Sequence, residues 1–264
     1  MIGVDVIGRM GNQMFQYAFA LVAAHKINTR FFLKYYHYPI TIDKYFELPG
    51  FNRHLNKMAN KIFYLVTGHF KCIEEGSSIN PQILLRNLTD NTLYKGYFQT
   101  EMFFKDISDR VRTEFRIKRK YQFRYKRHIE NLVVGNKKLL VIHFRGKDYK
   151  SSKFELPLSY YQKCLSVLSL PDYQKIVVTD DIEQAKIAFR YHKDFNFECN
   201  ESIIDFQFIM NADTAIISNS TFAWWGAYLN KKSPIVYAPK NWLGYQKKIE
   251  YPKGIMSVDW NWIN

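Results

Sequence analysis

The chain opens on an apolar run, MIGVDVI (1–7), followed by a turn that holds two glycines. QMFQYAFALVAAHKI (13–27) then sets Phe15, Phe19, Val22 and Ala23 at helical spacing, and RFFLKYY (30–36) reads as a strand. A strand, a glycine-bearing turn and a helix open many nucleotide-binding folds. Residues 50–130 mix apolar and basic positions with weak helical periodicity and predict no firm elements. From 138 the rhythm becomes regular. KLLVIHF (138–144), KIVVTDD (175–181), TAIISNS (214–220) and PIVYAP (234–239) read as strands. Between them, PLSYYQKCLSVLSL (157–170), IEQAKIAFRYH (182–192), ESIIDFQFIMNAD (201–213) and TFAWWGAYLN (221–230) read as helices. Such alternation implies an α/β protein whose parallel sheet is covered on both faces. The basic run RIKRKYQFRYKRH (116–128) is expected on a helix or loop surface. With VVGNKK it forms a linker near 130–137, which divides the chain into lobes 1–135 and 136–264.

Composition narrows the class. With 264 residues and 47% hydrophobic content the chain can bury a core in each of two lobes, and 45 aromatic residues (21 Phe, 19 Tyr, 5 Trp) exclude a disordered protein. Three cysteines without a shared short spacing exclude a disulfide framework or a zinc site, which fits a reducing cytoplasm. No window of 18 apolar residues and no leader-like amino terminus is present, so neither secretion nor a membrane span is expected. The net charge of +14 predicts attraction to something acidic: nucleic acid, an anionic membrane surface or a phosphate-bearing substrate.

Chemistry in an open parallel sheet gathers at the carboxyl ends of the strands. Four such ends carry polar clusters: GRMGNQ (8–13), HFRGKDY (143–149), TDD (179–181) and SNSTF (218–222). In the first, Gly8 and Gly11 let backbone approach a ligand, while Asn12 is either a helix cap or a ligand contact. The spacing is not the dinucleotide fingerprint. In the second, Arg145 can clamp a pyrophosphate, His143 can donate to the same oxygens, and Asp148 can orient either one. The plainer alternative is an Arg145–Asp148 surface ion pair beside a half-buried His143. Asp180 and Asp181 make a poor Mg²⁺ pair, and no D-x-D triplet occurs in the chain. One of them is expected to cap a helix and the other to face a ribose or base. Ser218, Ser220, Thr221 and Phe222 open the last cluster, where a hydroxyl either caps the following helix or binds phosphate. Trp224 and Trp225 belong either to the core or to a sugar contact.

Read in order, GRMGNQMFQYAFA, HFRGKDY, VVTDDIEQAK and ISNSTFAWWGAYLN resemble the motifs of glycosyltransferase family 11, the α-1,2-fucosyltransferases. The resemblance implies a GT-B-like fold of two Rossmann-like lobes with a donor cleft between them. It implies GDP-β-L-fucose as donor, a galactose-containing or lipid-linked glycan as acceptor, inversion at C1, and no metal or other cofactor. By the family pattern Arg145 would bind the donor diphosphate, with His143 and Asp148 in support. Gly8, Arg9, Gly11, Asn12 and Gln13 would lie near donor and acceptor, and Asp180, Asp181, Ser218, Ser220, Thr221 and Phe222 would hold the nucleotide. Arg145, Asp148 and Asn12 are the catalytic candidates. One departure stands out. The family reads H-x-R-R-G-D-Y, whereas this chain has Gly146 in place of the second arginine and Lys147 in place of the glycine.

Without a metal, Arg145, Lys147 and the helix starting near Thr221 would neutralise the departing diphosphate. Asp148, Glu155 and Asp205 are the candidate general bases, and a base-poor reaction is equally open. Transfer of another GDP-deoxysugar, or to an acceptor other than galactose, is a rival within enzymes. A basic nucleic-acid-binding protein is a rival of another class, motivated by +14 and by the aromatics interleaved at 116–128. It lacks a recognisable nucleic-acid-binding signature, so no nucleic acid is expected as a partner. The expected setting is the cytoplasm, with peripheral contact to an anionic inner membrane surface.

Overall fold

The computed structural model describes residues 1–36, 38–76, 80–132, 137–146 and 154–264. The chain divides into a first unit, Met1–Lys118 with Pro252–Ser257, and a second, Arg119–Tyr251 with Val258–Asn264.

In the first unit the chain runs β1 (Ile2–Asp5), α1 (Met10–Lys26), β2 (Phe31–Lys34), α2 (Ile42–Tyr45), α3 (Arg53–Leu65), β3 (Lys71–Glu74), α4 (Pro81–Arg86), β4 (Thr92–Lys95) and α5 (Ser108–Glu114). The four strands pair in parallel in the order β2-β1-β4-β3. Helix α1 is buried along most of its length, as its apolar residues on every side require. Phe19 stacks on Phe98 at 3.9 Å, and Tyr17 Oη donates to Glu114 Oε2 at 2.6 Å. Strand β2 lies at a sheet edge, and two asparagines of α3 satisfy its outward backbone. Leu33 N–H donates to Asn56 Oδ1 (2.7 Å), while Asn56 Nδ2 and Asn60 Nδ2 donate to Leu33 O (3.0 and 2.9 Å).

The second unit runs α6 (Arg119–Glu130), β5 (Lys138–Phe144), α7 (Leu158–Ser166), β6 (Tyr173–Thr179), α8 (Ile182–Ala188), β7 (Asn196–Glu198), α9 (Ser202–Met210), β8 (Thr214–Ile216), α10 (Thr221–Tyr228), β9 (Ile235–Pro239) and β10 (Asn261–Ile263). Its six strands are all parallel, in the order β10-β9-β8-β5-β6-β7. β5 has a neighbour on each side and helices over both faces, so its run from Leu139 to His143 is buried without alternation. α9 and α10 approach closely enough that a Cβ on Gly226 would lie 2.9 Å from Ile209 Cβ, which requires glycine there.

The units divide within the basic run, between Lys118 and Arg119, rather than at 135/136. Residues 119–130 form α6, which packs on α9: Gln207 Nε2 donates to Tyr121 O (3.1 Å) and Tyr125 meets Phe208 edge-on. The aromatics that interleave the basic residues, Tyr121 and Tyr125, are therefore core residues. The third interleaved aromatic, Phe123, is exposed.

The asparagine clamp gives a test of the fold. Asn56→Ala leaves the buried Leu33 N–H without its acceptor and should destabilise the protein by about 1–3 kcal/mol, read as a lowered urea midpoint.

Candidate active site

In the second unit the chain leaves β5 toward β6 and β7, then returns to the other side of β5 for β8, β9 and β10. The order of strands therefore reverses between β5 and β8, and the carboxyl ends there form the crevice where such sheets bind ligands. His143 and Ser218 meet across that crevice, with Nδ1 and Oγ 2.8 Å apart. Tyr160 Oη, shared between Ile217 O (2.7 Å) and Tyr237 O (3.1 Å), ties down the end of β8. His143 is buried, and its ring lies 5.6 Å from that of Phe222.

Beside it, Arg145 Nε pairs with Asp180 Oδ2 (3.2 Å), and the Gly146 N–H donates to Asp180 Oδ1 (2.8 Å). One carboxylate from the end of β6 thus lies against the guanidinium and accepts from the backbone that follows it. Gly146 sits so close to the next strand end that a Cβ would lie 2.6 Å from Asp181 Cβ. Asp181 caps α8, accepting from Gln184 N at 3.1 Å, and its N–H donates to Thr179 Oγ1.

The first unit repeats the arrangement. Its strand order reverses between β1 and β4, and the loops after those strands are joined by side-chain amides. Gln16 Nε2 donates to Gly96 O (2.9 Å) while Gln16 Oε1 accepts from Ile7 N (3.2 Å). Gln99 Nε2 donates to Asn12 Oδ1 at 3.0 Å. Gly8 has φ +80°, and a Cβ there would lie 2.4 Å from Asn12 Nδ2, so the turn needs glycine on two counts.

The model of Glycosyl transferase family 11 matches residues 1–264, the whole chain. The chain belongs to glycosyl transferase family 11. The O-antigen biosynthesis glycosyltransferase WbnK of Escherichia coli is 26% identical, the match covering 97% of this chain and 98% of that protein. The alpha-1,2-colitosyltransferase of E. coli is also 26% identical, over 89% of this chain and 90% of its own. Among solved structures, the NodZ alpha-1,6-fucosyltransferase soaked with GDP-fucose superposes with a TM-score of 0.54 at 13% identity, over 86% of this chain and 92% of that one. That likeness shows the fold, which is GT-B-like with two Rossmann-like units.

Within this family 11 glycosyltransferase the expected site residues separate. His143, Arg145, Ser218 and Phe222 are brought together at the β5–β8 crevice, with Ser220 and Thr221 at the start of α10. Lys147 and Asp148 lie outside the described residues. Asp181 caps α8, as expected of one of the two aspartates, and Asp180 lies against Arg145 and accepts from the Gly146 N–H. Gln13 is engaged within its own loop. Its amide is saturated, with Nε2 donating to Gly8 O and Pro39 O while Oε1 accepts from Thr41 N–H and Thr41 Oγ1, so it shapes the loop. Arg9 is exposed at the start of α1, Gly11 is buried in its first turn, and Asn12 is half-buried. Trp224 and Trp225 are fully buried and belong to the core. Of the candidate bases, Glu155 is exposed, and Asp205 accepts from the backbone and side chain of Asn200 while burial pushes its carboxyl up to about 6.

Sequence reasoning missed the Gln99–Asn12 bond and a carboxylate beside it. Glu75 Oε2 accepts from Tyr97 N (2.8 Å) and Phe98 N (2.7 Å), holding the turn in which Phe98 takes φ +52°. A cavity of about 340 Å³ between α6 and the start of α9 shares none of the expected residues, and two of its basic side chains have acidic partners, Arg124 with Glu201 and His128 with Glu198.

Burial lowers His143 to about 4, opposed by the negative charge of Asp180, so the imidazole is neutral near pH 7. The unfolded value, near 6.5, lies above the folded one. His143 therefore contributes stability that is full above pH 6.5 and lost as pH falls toward about 4. Asp205 runs the opposite way, its contribution present below its unfolded value and lost as pH rises through about 6. Thermal melts of His143→Gln should show a difference from wild type that shrinks as pH falls from 6.5 to about 4; a difference constant with pH would refute the assignment. Gly146→Ala, forced against Asp181, should cost about 1–3 kcal/mol, read as a lowered urea midpoint.

Proposed function

We propose that this glycosyltransferase moves L-fucose from GDP-β-L-fucose to the 2-hydroxyl of a galactoside, with inversion at C1 and without a divalent metal. The observation that carries the reading is the β5–β8 crevice, where a guanidinium fixed by a carboxylate stands beside a buried neutral imidazole. A guanidinium stationed beside a carboxylate of the neighbouring strand presents a fork of donors that suits a diphosphate.

As the C1–O bond breaks, negative charge grows on the β-phosphate. Arg145 meets that charge directly, and the amides at the start of α10 add their partial positive charge. His143 serves as a neutral hydrogen-bond donor, because burial keeps it uncharged. Its tautomer follows from which partner donates in the His143–Ser218 bond. The family pattern gives Asp148 as an orienting carboxylate, and Lys147, where the family has glycine, is taken as a supporting cation. The acceptor hydroxyl attacks the opposite face of the sugar, and no general base is assigned.

The acceptor is a surface polysaccharide or oligosaccharide, a reading supported by the relative named for O-antigen biosynthesis. The enzyme works in the cytoplasm with peripheral contact to an anionic membrane. A second reading, transfer of a different GDP-deoxysugar, is favoured by the relative named an alpha-1,2-colitosyltransferase.

A donor screen of GDP-sugars against galactosides in EDTA, with linkage read by NMR, tests the proposal. Fucose in α-1,2 linkage supports it; activity with a different deoxysugar alone selects the second reading, and a requirement for added metal refutes the metal-free mechanism. Arg145→Ala should lower kcat/KM by roughly 10²–10³, about 2.7–4 kcal/mol, with an unchanged fold. Retention of more than about a tenth of the wild-type value, a deficit of ~1.4 kcal/mol, would remove Arg145 from the mechanism.

A further inference from the structure

Helix α3 faces its unit with the wrong residues for an ordinary surface helix. Asn56 and Asn60 turn inward with Phe63, while Leu55, Met58, Ile62 and Leu65 are between 49% and 85% exposed. Those four fall at i, i+3, i+7 and i+10, so they form one stripe along the outside of the helix. The inward asparagines are committed to the backbone of β2, which fixes the rotation of the helix and prevents the stripe from turning in.

The surroundings of the stripe define its occupant. The sequence RHLNKMANKIFYL carries Arg53, Lys57 and Lys61 and no acidic residue. Lys57 and Lys61 are exposed and follow one flank of the stripe at i, i+4 spacing. Tyr35, Tyr36 and Tyr38, in the segment after β2, are exposed as well. Arg53 ties that segment to the first turn of the helix by donating to Ile40 O (2.9 Å) and pairing with Asp43. An apolar stripe, flanking cations and amphipathic aromatics together match the interfacial region of a bilayer bearing negative headgroups. A second copy of the chain fits less well, since two surfaces of like charge would meet in a protein of net charge +14.

We propose that the outer face of α3, with the tyrosines at 35–38, seats the protein on an anionic lipid bilayer. The stripe enters the headgroup–acyl boundary, and the lysines meet lipid phosphates beside it. This deepens the membrane contact named above and depends on neither the donor nor the acceptor assigned there.

Co-sedimentation of the full chain with vesicles of phosphatidylcholine, with and without phosphatidylglycerol, tests it. Wild type should pellet with the mixed vesicles, less so at high salt. Ile62→Glu/Leu65→Glu should weaken partitioning at least tenfold, and Lys57→Glu/Lys61→Glu should abolish the preference for phosphatidylglycerol. Both variants should keep the wild-type circular dichroism and the wild-type rate on a soluble galactoside. Equal pelleting of wild type and Ile62→Glu/Leu65→Glu would overturn the proposal. So would a wild-type dimer in sedimentation velocity that this variant dissociates, without vesicle binding by either. Should wild type prove inactive on every soluble galactoside, the donor and acceptor reading fails while the vesicle result still decides the membrane face.

Discussion

A doubly wound parallel sheet has one place where consecutive crossovers diverge, and there the carboxyl ends of two neighbouring strands are left uncovered. In the second unit that place lies between β5 and β8. His143 and Ser218 stand on either side of it, and their 2.8 Å contact closes the base of the crevice. The first unit meets the same constraint between β1 and β4, and answers it with Gln16 and the Asn12–Gln99 pair. Each set of polar residues sits where the winding leaves backbone and side chains unshielded. Their position follows from topology before any chemistry is considered.

The second unit then uses the crevice to hold charge. Asp180 comes from the strand beside β5, and its two oxygens bind Arg145 and the amide of Gly146 separately. A solvated ion pair within HFRGKDY would leave the arginine mobile and would contribute little. A partner on the neighbouring strand restrains it, because the two strand ends are locked in register from Lys138–Tyr173 to Phe144–Thr179. The family departure at residue 146 also acquires a physical meaning. With Asp181 Cβ against the backbone there is no space for a side chain, and the position of a second arginine is taken by a backbone N–H that grips Asp180.

The regular half of the chain was legible because buried parallel strands leave continuous apolar runs such as KLLVIHF, which no surface segment imitates. The strand–turn–helix of 1–27 was legible for the same reason, with α1 apolar on most sides. Strands β3 and β4 were not, since each has four residues and β3 lies exposed at an edge where polar residues are tolerated. The clusters at the strand ends were visible as residue types, but not their pairings. Asp180 with Arg145, and Gln99 with Asn12, join residues far apart in the chain through strand order, which periodicity does not encode. The division at 118/119 was hidden because a basic helix looks like a linker until its buried tyrosines are known.

Helices α3 and α6 carry that lesson one step further. Both mix basic and apolar residues, and periodicity identifies an apolar sector in each without saying what covers it. In α6 the tyrosines are covered by α9, through contacts of Tyr125 with Phe208 and of the Tyr121 carbonyl with Gln207. In α3 the deciding residues are polar. Two asparagines bind the open edge of β2, and because that edge has a fixed direction, the helix cannot rotate to hide Ile62 and Leu65. A hydrogen-bonding requirement of the sheet thus outweighs the tendency of apolar side chains to turn inward. Satisfying Leu33 leaves an apolar stripe exposed along the outside of the helix.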